Sequence, residues 1–180
     1  LQNPSFLARE WALLPDLQKI AMETHPRIAG TTTNTLEVFT LGEERVTIDG
    51  EPLAIPLRRG VEVLAYLLEK KAVTLQDVMD DVFPTDNPRS AKSYFHQFRH
   101  QLREHLDGLE IEYDSEAKMY RLTSEINVLW DVAELRAGRT MGSTGTFLPE
   151  SKNAWTRAVD AELDQHRSPQ DGRTATPTRA

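Results

Sequence analysis

The chain has no cysteine. It can therefore hold no disulfide, no thiol nucleophile and no cysteine-ligated zinc, a composition suited to a reducing compartment. It lacks any apolar run near the roughly 18 residues of a membrane span, and its N-terminus carries no leader pattern. A glycine-rich phosphate loop and a Gly-x-Ser-x-Gly elbow are missing too. The expectation is a non-enzyme, with no catalytic residues and no cofactor. Positive charge is the scarcer sign: 21 Lys+Arg against 28 Asp+Glu leave a formal net charge of −7. That argues against loose polyanion binding by the whole surface, so any nucleic-acid contact must be local. A chain of 180 residues fits one domain with appendages or two small domains. Because it starts at Leu1 rather than Met, it is expected to be a piece of something longer.

What is present is one concentrated cationic stretch, residues 88–106, PRSAKSYFHQFRHQLREHL. At about 100° per residue, Ala91, Tyr94, Phe95, Phe98, Leu102 and Leu106 share one helical face. Arg89, Lys92, His96, Arg99, His100 and Arg103 share the opposite one. On an acidic protein such a stripe is not a product of bulk composition. It reads as a helix anchored by its aromatic side and offering its basic side to nucleic acid. His96 and His100 are four apart, a spacing that could hold a divalent cation, but no carboxylate or third imidazole completes a set, so no metal site is expected. Their protonation in mild acid, near an unperturbed pKa of about 6.5, is expected to strengthen DNA binding.

The flanking chain gives this helix a setting. Residues 1–30 read as a helical linker or the end of an upstream domain, closed by a polar hinge at 30–35. LEVFTL (36–41), RVTI (45–48) and PLAIPL (52–57) read as strands of a small antiparallel sheet, with Asp49-Gly50 as a tight turn and Pro52 on an edge strand. VEVLAYLLEK (61–70) and LQDVMDDVF (75–83) read as helices, the second capped by Thr74 with Asp77 at its third position. Asp107-Gly108 ends the basic helix. LEIEY (109–113) and KMYRL (118–122) then form a hairpin, with Leu109, Ile111, Tyr113, Tyr120 and Leu122 facing inward. The fold class is α+β: a sheet, three helices and a hairpin, the layout of a winged helix. Trp11, Trp130 and Trp155 are expected to serve packing.

In that order, Leu41-Gly42, Asp49-Gly50, Phe83-Pro84 (for the usual Trp-Pro), Phe98-Arg99 (for Leu-Arg) and Tyr120-Arg121-Leu122 carry a resemblance. Residues 36–123 resemble the OmpR/PhoB-type winged-helix DNA-binding domain, in the version carried by SARP-like bacterial transcriptional activators. VLWDVAEL (128–135) and GTFLPESKNAW (145–155) resemble the opening of those activators' helical domain, so 126–167 is expected as a helical stub. SPQDGRTATPTRA (168–180) is expected to be a disordered tail. The chain departs from the pattern at the wing tip, where Ala117-Lys118-Met119 replaces Gly-x-Gly and Asp114, Ser115 and Glu116 are acidic or neutral.

The resemblance implies a sequence-specific, double-stranded-DNA-binding regulator, an activator recruiting RNA polymerase, working as a homodimer or tandem protomers on DNA. It implies a cytoplasmic, nucleoid-associated location and no membrane partner. DNA contacts fall on Arg89, Lys92, Ser93, His96, Gln97, Arg99, His100 and Arg103, with Lys118 and Arg121 from the wing. Arg99 and Arg103 have the reach for phosphate or guanine, and Gln97 suits adenine. The polymerase-contact loop falls on Pro84, Thr85, Asp86, Asn87 and Pro88. The competing reading is a winged-helix protein–protein interaction module without DNA binding, which the acidic total and the acidic wing tip favour.

Overall fold

The computed structural model describes residues 34–55 and 57–167. The linker expected at 1–30 and the tail expected at 168–180 lie outside the described residues. Within them the protein is mixed α+β, with five helices and two small sheets.

The first sheet is built on β1 (Thr35–Phe39), β2 (Arg45–Ile48) and β3 (Glu51–Pro52), antiparallel neighbours in that order. Pro52 lies on the edge strand as expected. The expected third strand over 52–57 is corrected: β3 is two exposed residues. Leu57 has φ +75°, which cannot continue an extended ladder. Residues 53 and 55 instead pack their Leu and Ile side chains against the core.

Three helices follow: α1 (Gly60–Lys70), α2 (Leu75–Val82) and α3 (Pro88–His105). The Thr74–Asp77 capping box forms in full, each side chain accepting from the other residue's backbone N–H. Tyr66 on α1 donates its hydroxyl to Asp81 on α2 at 2.6 Å, clasping the two helices. Between them β4 (Ala72–Val73), too short to leave a pattern in sequence, pairs with the later hairpin. That hairpin is β5 (Leu109–Asp114) and β6 (Met119–Ser124), giving a second sheet of order β4-β6-β5.

The segment expected as a helical stub starts differently. Residues Asn127–Trp130 are a strand, β7, lying parallel to β1 with Leu36 opposite Val128 and Val38 opposite Trp130. Only then come α4 (Asp131–Arg136), an irregular stretch, and α5 (Ala154–Arg167). Trp130, Val132, Phe147, Leu148, Trp155, Val159 and Leu163 share one hydrophobic core with β1 and the three earlier helices. Trp130 and Trp155 thus serve packing, the latter edge-on to Tyr66 and Phe147 at 5.0 and 5.5 Å.

Two motifs far apart in sequence meet here. Leu41 bridges Phe147, and the Gly42 N–H donates to the Thr146 carbonyl at 2.9 Å. Gly42 has φ +79°, and a Cβ there would sit 2.2 Å from the Thr144 carbonyl oxygen. Only glycine allows both the left-handed backbone and that approach.

Among the described residues no helix is long and apolar enough to cross a membrane.

Candidate nucleic-acid interface

The basic stretch forms α3 because its ends and its apolar face agree. Asn87 Oδ1 accepts from the Arg89 and Ser90 N–H groups at 3.0 and 3.3 Å, and Pro88 occupies the first helical turn, where its missing donor costs nothing. Phe95, Phe98 and Leu102 are fully buried, with Ala91 and Leu106 close behind. Phe95 meets Tyr120 of β6 edge-on at 5.0 Å. Gly108, at φ +83°, turns the chain from α3 into β5, where a Cβ would come within 2.9 Å of Ile126.

With that face fixed, Arg89, Lys92, Ser93, His96, Gln97, His100 and Arg103 are exposed on the other side. Arg89 and Lys92 have no ion-pair partner among the described residues. His100 Nε2 lies 3.3 Å from Glu104, and Arg103 lies 3.9 Å from Glu110 of β5. Exposed pairs of this kind contribute about 0–1 kcal/mol, so both side chains can change partner at little cost. His96, Arg99, His100, Arg103 and Glu110 line a shallow cleft between α3 and β5. The His96 imidazole is held below its ordinary pKa, first by partial burial and then by the charges of Lys92 and Arg99. That shift favours the neutral imidazole in the free protein.

Arg99 differs from its neighbours. The helical wheel places it with the exposed cations, but it is half-buried. Its Nε donates to the Ile111 carbonyl on β5 at 2.6 Å, and its guanidinium carbon lies 5.7 Å from the Tyr120 ring centre. Arg99 ties α3 to the hairpin, which removes it from the freely exposed set. Arg99→Ala is expected to lower stability by about 1–3 kcal/mol, the value of a charged hydrogen bond and of leaving its acceptor unsatisfied. Urea unfolding followed by circular dichroism checks this.

The hairpin tip closes without glycine. Asp114 Oδ1 accepts from the Glu116 and Ala117 N–H groups at 3.0 and 2.9 Å, and Lys118 takes φ +56°. Those bonds, opposed by slight desolvation and helped by Arg121, hold the Asp114 carboxyl below its usual range. Lys118 and Arg121 are exposed, Arg121 lying 3.9 Å from Asp114. Tyr113, expected inward, is 45% exposed. Its ring leans on Tyr120 at 4.8 Å. It shares the face of Leu109 and Ile111, but alternation along a strand does not say where the covering helix stops.

The loop Pro84–Pro88 is exposed throughout, yet two of its side chains are in use. Asn87 caps α3, and Asp86 pairs with Arg59 Nη1 at 2.7 Å. Arg59 was not singled out by sequence, but it organises this corner. Its Nε donates to buried Glu62, its Nη2 to the Val82 carbonyl, and its guanidinium covers the Phe83 ring. Its own N–H donates to the Tyr94 hydroxyl at 2.6 Å, linking α1 to α3. Glu62 in turn accepts from Ser151 and Asn153.

No protein-family model, curated protein or solved structure matches this chain.

Proposed function

We propose that the chain is a sequence-specific, double-stranded-DNA-binding regulator of transcription, built as a winged helix of the OmpR/PhoB type. In this reading α3 enters the major groove and the β5–β6 hairpin serves as the wing. One observation carries it. On a protein of net charge −7, α3 is pinned by three fully buried side chains and holds Arg89, Lys92, Ser93, His96, Gln97, His100 and Arg103 exposed on its other side. A groove-reading helix needs a fixed register, short donors at base edges and cations beside phosphate. Gln97 and Ser93 are suited to base edges, and Arg89, Lys92 and Arg103 to phosphates. Activation by recruiting RNA polymerase through the exposed loop Pro84–Pro88, assembly as a dimer or tandem protomers, and a nucleoid-associated cytoplasmic location belong to the same proposal.

A second reading, a protein-docking module, draws on the acids Glu104, Glu110 and Glu116 beside the cations. Salt separates the two. Duplexes selected from a random pool by the chain should lose roughly 10³-fold or more in affinity between 50 and 200 mM salt if six or more phosphates are contacted. Failure to enrich any duplex would end the DNA reading. Salt-independent capture of a protein partner would put docking in its place.

A further inference from the structure

The cations alone leave the hairpin poorly equipped to hold DNA. Glu116 and Asp114 stand at its tip, and Arg121 lies within 3.9 Å of Asp114. Against that background one side chain is out of place. Tyr113 is the large hydrophobic residue left exposed among the described residues. A lone exposed aromatic needs no explanation, but this one is held in position. Its ring leans on Tyr120 at 4.8 Å, and Tyr120 meets the buried Phe95 of α3 edge-on at 5.0 Å. The His96 ring lies 6.5 Å from Tyr120, so the outward face of α3 is adjacent. Three rings thus run from the core behind the basic face to the surface beside it. Tyr113 is braced by that ladder and loses little freedom on forming a contact.

Resting on the DNA reading, we infer that Tyr113 is a duplex-contacting residue whose ring packs against the deoxyribose and base edge flanking the segment read by α3. An aromatic contact suits this position because it needs no positive charge. It brings apolar area that sugar and base edge can cover, and it adds nothing to counterion release. The hairpin would therefore contribute affinity by packing, while α3 contributes the salt-dependent part.

The test uses the full chain and the duplex it selects most strongly from a random pool. Dissociation constants would be measured from 50 to 200 mM salt for the wild type, Tyr113→Ala and Tyr113→Phe. Tyr113→Ala should weaken binding about tenfold, the loss of the apolar area the ring covers, with the slope of log affinity against log salt unchanged. Tyr113→Phe should stay within about twofold, because the ring is kept. Equal affinity of Tyr113→Ala and wild type overturns the inference while leaving the DNA reading intact. A loss in Tyr113→Phe as large as in Tyr113→Ala also overturns it, by moving the contact to the hydroxyl. If Tyr113→Ala melts early, Tyr113→Thr replaces it, keeping strand propensity without the ring, and the same tenfold criterion applies. A wild type that retains no duplex refutes both proposals.

Discussion

Replacing Lys92 and Arg103 together by alanine is expected to lower affinity for the selected duplex by about 2 kcal/mol or more, roughly thirtyfold, with the melting temperature unchanged. Both side chains are exposed, and neither contributes to the packing that fixes α3. Arg103 gives up a 3.9 Å surface pair with Glu110, an interaction too screened to matter to folding. Each lost phosphate contact should also flatten the salt dependence by about one unit of slope. The pair is chosen over Arg99 because Arg99 has a structural bond to Ile111. A loss of binding in an Arg99 variant would mix a looser hairpin with a missing contact. Retardation of the duplex by the double variant at the wild-type concentration would remove the basic face from the proposed interface. It would leave α3 as a solvated surface helix.

Asp131→Ala is expected to cost about 3–5 kcal/mol, a larger effect on stability than any change on the basic face. Asp131 is 2% exposed, and its carboxylate accepts four hydrogen bonds. Two come from the Thr40 and Leu41 N–H groups at 2.7 and 2.9 Å, one from the Thr40 hydroxyl and one from Ser143. Trp130 Nε1 adds a bond to the same Thr40 hydroxyl at 3.0 Å. Removing the carboxylate strands two buried backbone donors where β1 ends and the irregular stretch after α4 crosses it. Asp131→Asn should cost less. Its remaining oxygen can keep the three donors that share Oδ2, and its amide can donate to Thr40 Oγ1. At about 2–4 °C per kcal/mol for a chain of this size, the alanine variant should melt on the order of 10 °C lower. Scanning calorimetry of the two variants beside the wild type checks the order. Equal melting of Asp131→Ala and wild type would show that this buried network is not what joins β1 to α4.

How much was legible beforehand differs by element. The faces of α3 were readable because a helical wheel depends only on neighbours three and four residues apart. The Thr74 cap was readable for the same reason, since both partners lie within one turn. Tyr113 was half readable: its side of the strand was right, but the limit of the helix that covers that side is not a property of the strand. Arg99 looked like its basic neighbours, because nothing within α3 announces that the Ile111 carbonyl will lie 2.6 Å away. The run VLWDVAEL looked helical throughout. Its first residues are a strand because β1, some 90 positions earlier, presents an unpaired edge to them.

By itself the sequence determined the acidic balance, the single basic amphipathic helix, the hairpin, and the α+β class. These rest on composition and on contacts between near neighbours, which any extended stretch of the chain already contains. Tertiary structure alone decided that β7 completes the first sheet, that Asp131 gathers the end of β1, that Arg99 turns to the hairpin and that Tyr113 stays in solvent. Tyr113 stays in solvent because the helix over its face stops short of it; the other three depend on which buried donor or acceptor lacks a partner once distant segments meet. That demand arises only when water has been excluded from the space between them.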